Sequence, residues 1–218
     1  KRASQIAEKA LEITINNENW IGKSEKELAA ELEYNLKKQG MDGTSFKTIV
    51  GSGPHGASPH HNYNDRKIKE SESVVIDFGG IYKGYCSDMT RTFSFGKPSS
   101  KLKEVFTVVK NSQELAEDKI KPGMTAEEAD KIARDYIENS GFGEYFIHRT
   151  GHGIGMDVHE RPFIVTGNKE ILKPGMVFSI EPGIYLPEEF GVRIEDLVIV
   201  NENGCESINK FTKETLDY

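Results

Sequence analysis

Apolar residues recur at three- and four-residue spacing from the start of the chain: Ile6, Ala7, Ala10, Leu11 and then Ile13 or Ile15. That period predicts a first helix of about four turns. A second helix is predicted from Ser24, where Ser24 and Glu27 have the spacing of a capping box, each side chain satisfying a free N–H of the first turn. Leu28, Leu32 and Leu36 form its apolar stripe, and Gly40 supplies a C-terminal cap. A third helix is predicted near residues 101–119, on Leu102, Val105, Phe106 and Val109, and a fourth follows the capping box Thr125/Glu128 and ends at Gly141. Gly22, Ser24, Glu27 and Gly40 thus find counterparts 101 positions later at Gly123, Thr125, Glu128 and Gly141. Helix starts resemble one another for general reasons, but the recurrence of the whole order predicts two duplicated α+β halves with a site between them. The period is too long for a solenoid.

After each helix pair the pattern turns to short apolar runs bounded by Gly or Pro. Strands are predicted at 46–50, 74–79, 85–95, 176–181 and 192–200. No linker or low-complexity tract interrupts the 218 residues, so one domain spanning 1–218 is expected. Because the chain opens at Lys1 without a methionine and goes straight into a helical pattern, a domain cut from a longer chain is expected.

Composition narrows the function. Acidic residues outnumber basic ones 35 to 28, a net charge of −7, which argues against a nucleic-acid grip. No stretch reaches the roughly 18 apolar residues of a membrane span. The cysteines, Cys86 and Cys205, stand in no CxxC or Cys/His spacing, so a reducing, cytoplasmic setting is the expectation.

Gly51-Ser52-Gly53-Pro54-His55-Gly56 matches GxGxxG, follows a strand-like run, and precedes Asp77 by a suitable interval. A dinucleotide site needs a helix opening at those glycines to face the pyrophosphate. The residues that follow, ASPHHNYND, carry a proline and no apolar stripe, so the glycines are read as a tight turn that positions what comes next.

Carboxylates interrupt the strands. Asp77 lies in VVIDFGG, Asp88 in YCSDMTRTF, Glu181 at the end of MVFSIEPG, and Glu195 in VRIEDLVIV. A two-residue turn at Tyr82 and Lys83 would set Asp77 directly opposite Asp88, where like charges destabilise unless a cation or a shared proton intervenes. Tyr-Lys is poor turn chemistry, and a bulge at Gly84 would shift that register. With the His-containing GHGIG at 151–155, two Asp, two Glu and one His make an oxygen-rich donor set suited to Mn²⁺, Co²⁺ or Fe²⁺ and large enough for two ions. HExxH is absent, since Phe163 stands where its second histidine belongs.

In order, Ala57-Ser58-Pro59-His60, DFGGIYKGYCSDMTRTF, TGHGIGMDVHERP, KPGMVFSIEPGIY and GVRIEDLVIV resemble the metallopeptidases of the pita-bread (creatinase/aminopeptidase) fold, and within them the Xaa-Pro dipeptidases (prolidases) and Xaa-Pro aminopeptidases. The resemblance covers essentially the whole chain. It implies an α+β fold of two pseudo-duplicated halves around a curved antiparallel sheet. It also implies two divalent ions, Mn²⁺ first and Co²⁺, Zn²⁺ or Fe²⁺ as alternatives, on Asp77, Asp88, His152, Glu181 and Glu195, with Asp88 and Glu195 bridging. His60 and His159 would hold substrate and intermediate, Glu181 would relay a proton to the leaving nitrogen, and Arg193 would contact either the metal ligands or the substrate carboxylate. His61 competes with His60, which is favoured because it directly follows Pro59. The activity implied is cleavage of an X-Pro bond in dipeptides or short peptides by metal-activated water, with neither nucleic acid nor membrane as partner and a homodimer allowed. Methionine aminopeptidases share the fold and ligands but are less similar at EPGIY and VRIED. A peptide-binding module without catalysis, or a metal-free hydrolase of the fold, would be expected to lose ligands, and none is lost. Larger members of the proline-specific group carry an additional N-terminal domain that has no counterpart in this sequence.

Overall fold

The computed structural model describes residues 1–214 and 216–218. In chain order its elements are α1 (Arg2–Asn17), α2 (Glu25–Lys38), β1 (Gly43–Thr44), β2 (Ile49–Ser52), β3 (Ser73–Phe78), β4 (Gly80–Tyr82), β5 (Tyr85–Cys86), β6 (Met89–Ser94), α3 (Ser100–Lys119), α4 (Ala126–Asn139), β7 (Gly151–Gly153), β8 (Glu160–Ile164), β9 (Val177–Ile180), β10 (Gly183–Leu186), β11 (Phe190–Arg193), β12 (Asp196–Val200) and β13 (Cys205–Ser207). All four helices stand where the periodicity places them, and both capping boxes form. Each helix pair covers its own sheet. Leu28, Leu32 and Leu36 of α2 are fully buried with Val50, Ile76 and Phe78, while Ala129 and Ala133 of α4 are buried with Phe178, Ile180 and Val198. Burial of each such leucine contributes about 1.5–3 kcal/mol.

The duplication extends from sequence into hydrogen bonding. Gly22 N donates to Ile68 O at 2.8 Å and Gly123 N to Leu172 O at 2.9 Å; Glu25 N donates to Arg66 O at 3.1 Å and Ala126 N to Glu170 O at 2.9 Å. The sheets β2-β3-β6 and β13-β12-β9-β7-β8 are antiparallel at every pairing and meet at a bridge between Thr90 and Glu195. Thr90 pairs with Asp77, and one step beyond the pair Asp196/Ile180, Glu195 stands opposite Glu181. The two halves therefore join through equivalent positions, with the carboxylates of Asp77 and Glu181 to either side.

Two expectations about the strands need correction. The turn after β4 is Lys83-Gly84 rather than Tyr82-Lys83: both residues have positive φ, 51° and 80°, and Tyr82 pairs with Tyr85. Asp77 accordingly stands opposite Thr90 and not Asp88. The shift is two residues, so the same register carried on would put Asp88 two pairs further along, opposite Gly79 and on the face of Asp77. The runs 85–95 and 192–200 are also each broken, at Ser87-Asp88 and at Ile194-Glu195. At each break stands a ligand-type carboxylate, Asp88 at the first and Glu195, bridged to Thr90, at the second. Opposite the first of them, a side chain on Gly79 would lie 1.9 Å from Ser87 O.

Candidate metal centre and its cavity

The two halves enclose a cavity of about 630 Å³ lined by His60, Asp77, Asp88, His152, His159, Glu181, Arg193 and Glu195, together with Phe46, Ile49 and Pro59. All eight residues singled out in the sequence thus reach one space, from six separate segments of chain.

Asp88, His152 and Glu195 present ligand atoms within 4.8 Å of one another, and all three are buried. His152 Nδ1 lies 3.1 Å from Gly153 O and donates to it. That hydrogen bond leaves Nε2 with a lone pair, 3.6 Å from Asp88 Oδ2 and 3.4 Å from Glu181 Oε1. Lone pairs therefore face lone pairs. Among the described residues, Asp77 Oδ1, Asp88 Oδ1 and Glu195 Oε1 are buried with no hydrogen-bond partner, a costly condition for carboxylates that a cation relieves. Burial, followed by the neighbouring carboxylates, pushes Asp88 and Glu195 well above the ordinary range; burial likewise lifts Glu181 to about 7. Burial lowers His152 to about 4, so the imidazole is neutral and competent as a ligand. The donor set fits divalent metal ions on all these counts.

The remaining oxygens are held from outside. Thr90 Oγ1 donates to Glu195 Oε2 at 2.7 Å and accepts from Arg193 Nε at 3.1 Å. Ser179 Oγ donates to Glu181 Oε1 at 3.0 Å. Arg193 is 3% exposed, and its guanidinium donates to Asp77 Oδ2 at 2.6 Å, to Tyr185 Oη at 2.7 Å and to Pro59 O at 3.3 Å. Of the two contacts expected of Arg193, the structure shows one to a candidate metal ligand, Asp77.

Three residues at or behind the cavity wall, His148, Arg149 and Tyr185, were not picked out in the sequence. His148 Nε2 lies 2.8 Å from Tyr185 Oη and its Nδ1 2.7 Å from Arg149 O, so a directed chain runs from Arg193 through Tyr185 and His148 to the backbone. Burial lowers His148 to about 3 and raises Tyr185 to about 12, which keeps both neutral. His148 lies four residues before His152, and that spacing was its only signal; Tyr185 is hidden in EPGIY. Arg149 is the third. Of the two expected substrate-holding histidines, His159 stacks edge-on against His152 with ring centroids 4.3 Å apart, and His60 is exposed to the cavity.

The segment GSGPHG forms a 3₁₀ turn, Gly53–Ala57, instead of a helix. Gly56 lies against Gly191 of β11, where a side chain on Gly191 would fall 1.9 Å from Gly56 O. A hub beneath this turn also escaped the sequence reading. Glu25, 0% exposed, accepts from Ser52 N and Oγ at 2.8 Å each, and lies 3.0 Å from His55 Nδ1 and 2.9 Å from His61 Nε2. Burial alone would raise its pKa, but these donors outweigh it and hold the carboxyl below its usual value. His61, the competitor of His60, is thus turned away to Glu25. His60 sits between two anchored neighbours, Pro59 held by Arg193 and His61 held by Glu25.

The chain is similar to several known proteins. The chain is 45% identical over 216 residues to the Xaa-Pro dipeptidase of Pyrococcus furiosus, covering 99% of this chain and 62% of that protein. It is 50% identical over 196 residues to the probable dipeptidase PepE of Mycobacterium bovis, covering 89% of this chain and 52% of that one. The prolidase of Thermococcus sibiricus superposes with a TM-score of 0.97 at 49% identity, covering 100% of this chain and 59% of its own; the X-Pro aminopeptidase of Thermotoga maritima superposes with the same TM-score at 42% identity, covering 100% and 61%. The chain spans about half to three fifths of the length of these relatives. Their pita-bread architecture is the one described above. Residues 1–202 match the model of metallopeptidase family M24, and with these identities the chain belongs to that family.

Proposed function

We propose that the chain is the catalytic part of an exopeptidase that hydrolyses the X-Pro bond at the N-terminus of dipeptides or short peptides, with two divalent ions, Mn²⁺ first, on Asp77, Asp88, His152, Glu181 and Glu195. The observation that carries this reading is the set of unpartnered buried oxygens on Asp77, Asp88 and Glu195 around the lone pair of His152. Divalent ions bound there supply Lewis-acid polarisation of the scissile carbonyl and lower the pKa of water toward neutrality.

The chain's own residues do the rest. His60 and His159 flank the ligands and hold the carbonyl oxygen as charge develops on it. Glu181, at the edge of the ligand set, passes a proton to the leaving imide nitrogen. Phe46, Ile49 and Pro59 give the wall an apolar stretch suited to a pyrrolidine ring. A ring whose φ is already fixed loses little conformational freedom on binding, which favours proline over alanine at that position.

The test is hydrolysis of Ala-Pro, Met-Pro, Ala-Ala and Ala-Pro-Ala by the Mn²⁺-loaded protein. Ala-Pro and Met-Pro should be cleaved with similar kcat/KM, and Ala-Ala far more slowly. Preference for Ala-Ala overturns the proline assignment, and full activity after metal removal overturns the mechanism.

A further inference from the structure

Three cations line the cavity: Lys47, Arg149 and Arg193. Arg193 is committed to Asp77, Tyr185, Thr90 and Pro59. Lys47 is exposed, donates to Asn62 at 2.8 Å and lies over the Tyr63 ring. Arg149 differs from both. It is half-buried, and among the described residues its guanidinium makes neither an ion pair nor a hydrogen bond. It lies over the face of Phe163, 5.1 Å from guanidinium carbon to ring centroid.

That placement is fixed rather than incidental. Phe163 on β8 stands opposite His152 on β7, so the stacked guanidinium is carried on the strand pair that carries the histidine ligand. The backbone on either side is tied down: Arg149 O accepts from His148, and Thr150 Oγ1 donates to Asp130 at 2.7 Å. The charge faces the same cavity as His152 and His159. Stacking covers the flat face of a guanidinium and leaves its N–H edges free, the geometry for a bidentate grip on a carboxylate.

We propose that Arg149 is the receptor for the free α-carboxylate that follows the proline, and that this contact makes the site a dipeptidase rather than an aminopeptidase acting on longer chains. The inference rests on the X-Pro reading above and adds to it the part of the substrate that is recognised. The four ligand carboxylates on one side of the cavity repel a second carboxylate near them, and Arg149 is the unspent positive charge that offsets this.

The experiment compares wild type, Arg149→Ala, Arg149→Lys and Lys47→Ala on Ala-Pro and on Ala-Pro amide, with metal content and melting temperature of each variant recorded. Arg149→Ala should lose about 10- to 100-fold in kcat/KM on Ala-Pro, mainly through KM, and less than about 3-fold on the amide. Arg149→Lys should be intermediate, because a point charge replaces a planar fork. Calorimetric binding of L-proline and L-prolinamide supplies a readout that needs no turnover: wild type should favour the acid, and Arg149→Ala should bind the two alike. An acid-to-amide ratio unchanged in Arg149→Ala, or one abolished by Lys47→Ala instead, overturns the assignment. Absence of X-Pro hydrolysis in wild type would overturn the proposed activity, while the binding ratio would still decide the role of Arg149.

Discussion

Arg193 Nη2 and Asp77 Oδ2 lie 2.6 Å apart in the cavity wall, with side chains 4% and 13% exposed. The arginine thereby holds the carboxylate of a candidate ligand in place, while Asp77 Oδ1 has no hydrogen-bond partner among the described residues. Removing one partner of a buried pair strands the other charge, at a cost of about 3–5 kcal/mol. Arg193→Ala should therefore lower the melting temperature and the metal affinity together, which thermal unfolding with and without Mn²⁺ would show. Retention of wild-type metal affinity would place Asp77 outside the control of Arg193.

Metal removal should have a pH-dependent effect on stability. The folded pKa of Glu181, about 7, is above its unfolded value, and Asp88 and Glu195 are displaced the same way. Groups raised in this way stabilise the fold fully below their unfolded pKa and lose that contribution as pH rises through the folded value. The metal-free protein should thus weaken between about pH 5 and about pH 8, by an amount for Glu181 on the order of 3 kcal/mol. Bound cations favour the ionised forms, so the gap in melting temperature between metal-loaded and metal-free protein should widen over the same range. A constant gap would count against a shared buried centre.

Asp88 and the histidines should separate metal binding from turnover. Asp88→Ala should lose at least one ion per chain, since its carboxylate lies with His152 and Glu195 at the heart of the cluster. His60→Ala and His159→Ala should keep both ions and lose turnover by about 10²-fold or more. Metal analysis beside kcat measures both, and metal loss in either histidine variant would make that residue a ligand.

Glu25→Ala should act at a distance from the centre. It strands the donors of Ser52, His55 and His61 and frees the segment that carries His60. Each buried donor left unsatisfied costs about 1–3 kcal/mol. The expected outcome is a lower melting temperature, intact metal content and reduced kcat, with the effect on kcat absent in a His60→Ala background. An additive loss in the double variant would show that Glu25 does not work through His60.

The helices, their caps and the internal duplication were written in the sequence because they depend on local spacing. An apolar stripe such as Leu28, Leu32 and Leu36, or a box such as Ser24 and Glu27, is complete within a few residues. The ligand-type residues were legible for a related reason: a carboxylate inside an apolar strand is costly wherever it lies, so Asp77, Asp88, Glu181 and Glu195 stand out unaided. Register was not legible. The turn at Lys83-Gly84 depends on which two residues take positive φ, and spacing alone admitted a neighbouring solution. Nor were the partners of charges. Arg193 and Arg149 are both arginines beside a ligand motif, and only the packed chain commits one to Asp77, 116 residues away in sequence, while leaving the other on Phe163 with its edges open. Glu25 and His61 likewise meet across 36 residues. Sequence fixes which groups must find a partner, and the tertiary structure decides which partner, because that choice is made by distances that exist only once the two halves have closed.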